Sequence, residues 1–331
     1  MSERGCVLTG WGTALPPTVV ANVQLEALFD TSDEWIRERS GIRTRHTATG
    51  PFVSATPHAV PMAGCGTTTT LAVEAAQRAL DGAGVLPDEI SLLVLCTTTP
   101  DQAVPATSSG VAGILGIRGG AMDINAACAG FTYGLVTAAA LISAGSEKAL
   151  VIGAETLTRI VNWEDHTSAF LFGDGAGAVV LESVDGSGSL LGWNLGVDGS
   201  LAELLYAHLG QRLTMRGKEV FRHAVRGSSD SAKAALEMAG VDASEIALFV
   251  PHQANRRIIY AVADRLRIPK ERVASVIGWL GNTSAASIPL TLADAADGGR
   301  LKPGDLVLFA GFGAGMTWAS AVWRWGTGEG C

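Results

Sequence analysis

Short apolar or β-branched runs alternate along the chain with longer Ala-rich stretches of helical character. A strand buried on both faces needs no polar alternation, whereas a helix over a core repeats its apolar positions about every three to four residues. The pattern predicts strands over 7–11, 92–97, 121–125, 149–153 and 176–181, then over 190–195, 247–250, 306–310 and 317–323. Helices are predicted over 70–83, 106–115, 128–144, 220–239, 254–266 and 287–296. Strands interleaved with helices in this way make an α/β protein.

One similarity joins the two halves. Each has a helix ending in an Ala-Gly segment, an acidic turn and a strand: Arg78-Ala-Leu-Asp-Gly-Ala-Gly-Val85 before 92–96, and Ala235-Leu-Glu-Met-Ala-Gly-Val241 before 248–250. The repetition points to an internal duplication. The Gly/Ser-rich stretch 185–189 is the expected boundary, giving halves 1–185 and 186–331. A chain of 331 residues also exceeds what one core usually serves, so two domains or two halves sharing a core are expected. Residues 47–66, rich in Thr, Pro, Ala and Gly, read as a surface loop.

Composition narrows the function classes. With 47% hydrophobic and 17% charged residues, and 41 glycines spread through the chain, disorder is not expected as the main state. Apolar runs such as 90–96 and 149–154 are far shorter than the roughly 20 residues that span a bilayer, so no membrane helix is expected. Residues 1–10 lack the basic and apolar regions of a signal peptide, and a cytoplasmic location is expected. The five cysteines, Cys6, Cys65, Cys96, Cys128 and Cys331, are odd in number and form no C-x-x-C pair, which favours reduced thiols. A net charge of −8 argues against general nucleic-acid affinity.

Three residues at strand-to-helix junctions carry the candidate chemistry. Cys128, in Asp123-Ile-Asn-Ala-Ala-Cys-Ala-Gly-Phe131, stands where a strand ends and a helix begins, where a helix dipole would favour the thiolate. His252, in Val250-Pro-His-Gln-Ala-Asn255, directly follows a strand and could donate a hydrogen bond into a pocket. Asn282 opens a turn of small residues, Asn282-Thr-Ser-Ala-Ala-Ser287. Taken singly, these residues read as a buried inert thiol, a structural histidine and a turn or cap residue. Taken together they form a nucleophile and two donors on one edge of an α/β fold. The Gly-rich turn in 309–318 could in addition expose backbone N–H groups to an oxyanion.

The segments Ala126-Ala-Cys-Ala-Gly-Phe131, Phe172-Gly-Asp-Gly-Ala-Gly177, His252-Gln-Ala-Asn255, Gly281-Asn-Thr-Ser-Ala-Ala-Ser287 and Gly311-Phe-Gly-Ala-Gly315 resemble ketoacyl-acyl carrier protein synthase III in sequence, order and spacing. The resemblance runs from Thr9 to Trp323. It implies a thiolase-like five-layered αβαβα fold built from two duplicated halves, one carrying the Cys and the other the His and Asn. It also implies a homodimer without metal or redox cofactor, whose substrates are an acyl-CoA and malonyl-acyl carrier protein.

By position, the resemblance makes Cys128 the acyl acceptor and has His252 and Asn282 hold the malonyl thioester carbonyl during decarboxylation. The backbone N–H groups of Cys128 and Ala314 would bind the oxyanion, and Phe312 would close the pocket. Trp35 would lie on the adenine, Arg39 near the CoA phosphates, Asn255 on the pantetheine and Phe221 along the tunnel. Arg256 and Arg257 lie on the helix that would meet the carrier protein, only Arg257 matching the position known for that role, and Val104 would cross the dimer interface to cap the acyl pocket.

The chain departs from the family pattern at His166, where an Arg is usual, and at Lys218, where an Asn is usual. It departs also in the long stretch 50–67 and in Trp279 and Leu280 beside Asn282. Val104, often aromatic in short-chain relatives, implies an acyl pocket deeper than acetyl needs. Three other readings compete. A same-fold acyltransferase would pass the acyl group to a hydroxyl or amine, a protease would use Cys, His and Asn in this chain order, and a silent scaffold would keep only the fold. Ala-rich surroundings of the Cys argue against the protease, and the intact Cys128, His252 and Asn282 argue against the scaffold.

Overall fold

The computed structural model describes residues 4–48 and 66–326, so nearly all of the unusual stretch 50–67, together with Cys65 and Cys331, lies outside the described residues. One sheet contains β1 (Arg4–Ala14), β2 (Leu92–Cys96), β3 (Gly120–Ile124), β4 (Lys148–Glu155) and β5 (Gly175–Asp185), in the order β1-β5-β4-β2-β3. A second contains β6 (Leu190–Val197), β7 (Ile246–Pro251), β8 (Leu306–Gly313) and β9 (Thr317–Arg324), in the order β7-β8-β9-β6. In the first sheet β2 and β4 are parallel, while β5 runs antiparallel to both β4 and β1. In the second, β7 and β8 are parallel, while β9 runs antiparallel to both β8 and β6. The second sheet thus repeats the order and senses of the first, without a counterpart of the edge strand β3.

Side-chain alternation along these strands assigns the layers. Leu93, Leu95, Leu150 and Ile152 pack against α2 (Thr68–Ala83) and α3 (Thr107–Leu115) through Leu71, Ala75, Ala79 and Val111. The intervening Val94 and Val151 point the other way, onto Phe131 and Leu135 of α4 (Gly130–Ser143) and Ile288 and Leu292 of α7 (Ser287–Asp297). Leu248, Val307 and Phe309 of the second sheet join that same cluster. On the far side, Phe249 and Leu308 meet α5 (Gly217–Ala239) and α6 (Arg256–Leu266). The result is the expected αβαβα stack. With both faces of each sheet covered, the strands read in the sequence as continuous apolar runs, and each large side chain so buried contributes about 1.5–3 kcal/mol.

Most predicted elements lie within a few residues of their observed limits. The strand expected over 7–11 extends over Arg4–Ala14, because antiparallel pairing with β5 continues from Arg4↔Asp185 to Ala14↔Ala176. The helix expected from 128 begins as α4 at Gly130, since Ala127–Ala129 forms a 3₁₀ turn. Helix α1 (Asp33–Ser40) and the small hairpin Thr18–Ala21 with Thr44–Thr47 were not among the predicted elements; α1 buries only Ile36 and Ser40 and so shows little apolar periodicity. Among the described residues no helix is long and apolar enough to cross a membrane.

Candidate active site

The chain enters the two middle helices through the same local turn. Before α4, Asn125 Oδ1 accepts the Ala127 N–H at 3.2 Å, Ala127 takes φ 48°, and a 3₁₀ turn follows. Before α7, Asn282 Oδ1 accepts the Ser284 N–H at 2.9 Å, Ser284 takes φ 47°, and a 3₁₀ turn follows. An Asn side chain bonded to the N–H two residues on is a known way of holding a turn, and here it holds a left-handed residue that is not glycine.

Glycines admit these turns between the sheets. A Cβ on Gly153 of β4 would stand 2.3 Å from Ala285 O, and one on Gly311 of β8 would stand 3.0 Å from Ala129 Cα. A Cβ on Gly313 would stand 2.5 Å from the Cys128 nitrogen. Thr317 ties the same region together, its hydroxyl bonding Ala126 O at 2.9 Å and Ala314 O at 3.1 Å.

Cys128 is half-buried beside Gly313. Burial pushes its thiol up to about 12; contact with the Ser284 side chain opposes this, and the charge of Glu155 adds to it. The helix dipole expected to favour the thiolate is therefore opposed by burial. Cys128 sits in the 3₁₀ turn ahead of α4 rather than in the helix itself, and desolvation there acts against the thiolate. Glu155 is itself buried behind this turn, accepting the Thr99 hydroxyl at 2.6 Å and the Ala285 N–H at 3.4 Å.

His252 continues the β7 ladder, its N–H donating to Ala310 O at 2.8 Å. Its Nδ1 lies 2.7 Å from Ser287 Oγ, and Phe312 meets the ring edge-on at 5.9 Å between centroids. Burial pushes the imidazole down to about 3, so it is neutral near pH 7. Asn282 is pinned through its backbone, its N–H donating to Leu171 O at 2.8 Å and its O accepting the Gly173 N–H at 3.0 Å. With Oδ1 engaged by Ser284, the amide Nδ2 is left as a donor.

Cys128, His252 and Asn282 line one cavity of about 880 Å³, with Phe312 and Gly313. The structure brings Trp35, Arg39, Phe221, Asn255 and Arg257 to the same cavity. The Arg39 guanidinium lies 4.5 Å over the Trp35 ring, which meets Phe170 edge-on. The arm carrying these residues is anchored by the fully buried Arg45, which donates to Val20 O, Asn22 Oδ1 and Phe170 O and whose pKa burial lowers to about 10. Asn255 uses Oδ1 to cap α6 through the Arg257 N–H at 2.8 Å. Arg257 sits 5.8 Å over the Phe221 ring.

Three expected residues are not among those lining this cavity. Val104 is 85% exposed between β2 and α3 and does not line the cavity of the single chain. Arg256 turns away from its neighbour, donating to Arg37 O at 3.1 Å in a separate groove with Glu34 and Arg43. Ala314 is not part of the lining, although Gly313 before it is. Arg216 and Arg222 line the cavity unforeseen, alongside Lys218 and His166. The basic run 216–222 was the signal for them. Among the described residues no group of three or more His, Cys, Asp or Glu could hold a metal ion.

The family models for 3-oxoacyl-acyl carrier protein synthase III and for its C-terminal region match residues 122–199 and 236–325. A β-ketoacyl-acyl carrier protein synthase III of Erythrobacter litoralis is 46% identical over 330 residues, covering 96% of this chain and 98% of its own. One from Novosphingobium aromaticivorans is 46% identical over 340 residues, covering 98% of this chain and all of its own. The crystal structure of 3-oxoacyl-acyl carrier protein synthase III from Aquifex aeolicus is similar with TM-score 0.90 at 42% identity, over 97% of this chain and 100% of that one. That of the priming β-ketosynthase of the R1128 polyketide pathway follows with 0.89 at 36%, over 98% of this chain and 97% of that one. With its thiolase-like stack and its Cys, His and Asn in one cavity, the chain belongs to the 3-oxoacyl-acyl carrier protein synthase III family.

Proposed function

We propose that this chain condenses an acyl-CoA primer with malonyl-acyl carrier protein by a decarboxylative Claisen reaction. The observation that carries the reading is the convergence of Cys128 with two neutral side chains, His252 and Asn282, on one cavity. A neutral imidazole and an amide suit stabilisation of an enolate oxygen, and an amide cannot remove a proton. Transfer to a hydroxyl or amine needs a base, and His252, whose pKa burial lowers to about 3, is a weak one.

In this reading Cys128 sulfur forms a bond to the primer carbonyl while the bond to CoA sulfur breaks, and the thiol proton leaves with the CoA thiol. His252 and Asn282 then hold the malonyl thioester oxygen. The bond to the carboxylate breaks, CO₂ departs, and the electron pair forms a carbon–carbon bond to the acyl carbonyl. Collapse of the tetrahedral intermediate expels the Cys128 thiolate, which recovers a proton from solvent. Backbone N–H groups of Cys128 and Ala314 are the proposed oxyanion donors. No metal or redox step enters this balance.

The cavity cations suit the donor. Arg39 stacked on Trp35, with Arg216 and Lys218, offers planar and charged partners for a nucleotide and its phosphates. Arg257 and Arg222 line the same cavity and suit an acidic carrier protein, although the whole chain is negative. Arg256, turned toward Arg37, would take part only at the rim. A homodimer in which Val104 reaches the partner's acyl pocket, halves divided near 185, and a cytoplasmic site of action complete the reading.

The test is intact-protein mass spectrometry after incubation with a panel of acyl-CoAs, then with malonyl-acyl carrier protein. A Cys128-dependent adduct discharged with CO₂ release supports condensation, and preference for primers longer than acetyl supports the deeper pocket. An adduct discharged only by an alcohol or amine would replace this reading with acyl transfer.

A further inference from the structure

Ser287, the first residue of α7, is fully buried. Among the described residues its Oγ has two polar neighbours, His252 Nδ1 at 2.7 Å and the Gln253 N–H at 3.3 Å. A backbone N–H can only donate, so it occupies a lone pair of Oγ. The hydroxyl hydrogen then has one acceptor within reach, the lone pair of Nδ1. The opposite arrangement, with Nδ1–H donating to Oγ, would strand that hydrogen in the interior without a partner, which buried groups avoid.

The surrounding network holds these atoms in register. Gln253 donates from Nε2 to Pro251 O at 2.8 Å, and its Oε1 accepts the Ser275 hydroxyl at 3.0 Å and the Val276 N–H at 3.0 Å. Residues 251–253 are thereby held to the segment 275–276, while the Gln253 N–H rests on Ser287 Oγ. The Thr291 hydroxyl, one turn on, donates to Ser287 O at 2.7 Å and leaves Oγ to the histidine.

We propose that Ser287 is a positioning residue that fixes His252 as the Nε2–H tautomer, so that the imidazole enters the reaction as a donor beside Asn282. A histidine with its lone pair on Nε2 would present an acceptor to the malonyl oxygen and repel the enolate. Burial, which keeps the ring neutral, makes the choice of tautomer decisive. The catalytic consequence rests on the condensing reading of this site; the tautomer does not.

The test uses the full chain labelled with ¹⁵N-histidine, with His252→Gln supplying the assignment. Long-range ¹⁵N–¹H correlation should show a pyrrole-type Nε2 and a pyridine-type Nδ1 for His252. Ser287→Ala should mix the tautomers and lower malonyl-thioester decarboxylation about tenfold or more, while acylation of Cys128 stays within about twofold. Ser287→Thr, which keeps the hydroxyl, should restore both. A wild-type His252 protonated on Nδ1 would overturn the assignment. So would a Ser287→Ala variant with unchanged tautomer and unchanged decarboxylation. If the alanine variant does not fold, the wild-type spectrum and the threonine variant decide. Absence of decarboxylation in a wild type with the stated tautomer would sink the functional reading and leave the tautomer standing.

Discussion

Asn282 is the residue at which the donor argument is most exposed to test. Asn282→Ala removes the Nδ2 donor and also takes away the acceptor of the buried Ser284 N–H. Loss of one preorganised donor costs about 2.7–4 kcal/mol of barrier, or about 10²–10³ in the decarboxylation rate. Leaving the amide unpaired costs a further ~1–3 kcal/mol of stability. Asn282→Asp separates the two losses. Its carboxylate can still accept the Ser284 N–H but cannot donate, and its charge opposes the enolate. Buried as Asn282 is, the new carboxyl should have a raised pKa, and once protonated it can donate again. Decarboxylation by Asn282→Asp should therefore recover as the pH falls from about 8 to about 5.5, while Asn282→Ala stays uniformly slow. The assays are CO₂ release from malonyl-acyl carrier protein and, separately, the mass of acyl-Cys128, which both variants should form at near wild-type rates. Decarboxylation within about threefold of wild type in both variants would refute the donor role.

Other consequences can be checked independently. Gly313→Ala places a methyl 2.5 Å from the Cys128 nitrogen and should slow acylation more than about tenfold, whereas acylation unaffected by this change would mean the turn can retreat. His252 is neutral when folded and titrates near 6.5 when unfolded, so its contribution to stability is complete above about pH 6.5 and is lost toward pH 3, by up to about 5 kcal/mol. Asp174, raised to about 6 by burial, acts in the opposite sense across part of that window, so the informative measurement is urea unfolding of His252→Gln against wild type. The variant should lose less stability between about pH 6.5 and 4.5, and parallel profiles would contradict the burial argument. Arg39→Ala removes the cation over Trp35 and should raise KM for acyl-CoA about fivefold at unchanged kcat, with the difference shrinking in high salt; a fall in kcat instead would place Arg39 in the chemistry.

What the sequence disclosed was whatever is local. Strands buried on both faces announce themselves as apolar runs, and Cys128, His252 and Asn282 each stand in a short segment whose neighbours are small or turn-forming. The upward push on the thiol could not be read in advance because desolvation is a tertiary property: its largest cause is burial, which no segment around Cys128 displays. The separation of Arg257 from Arg256 also follows from helix geometry. Adjacent helical residues point about 100° apart, and here one lines the cavity while the other turns to Arg37. Helix α1 escaped prediction for the opposite reason: it bears Asp33, Glu34, Arg37, Glu38 and Arg39 in eight residues, so its apolar contacts leave no period to read.

The turn repeated before α4 and α7 shows why a duplicated fold should yield a site of this kind. Asn125-Ala-Ala-Cys-Ala-Gly130 and Asn282-Thr-Ser-Ala-Ala-Ser287 share the Asn, the left-handed third residue and the 3₁₀ turn, so the two copies impose one geometry. In the first copy the fourth position is the nucleophile; in the second that position is Ala285, and the opening Asn supplies the donor. Each turn is admitted by a glycine of the sheet from the other half, Gly153 for the second and Gly311 for the first. The distance between nucleophile and donor is then set by two rigid sheets rather than by loop conformation, which is the precision that enolate stabilisation requires. The similarity is only a few residues long and carries no weight in the bare sequence. It becomes meaningful once the two sheets are seen to repeat the same strand order, because then the two turns occupy equivalent places and face one another across the site.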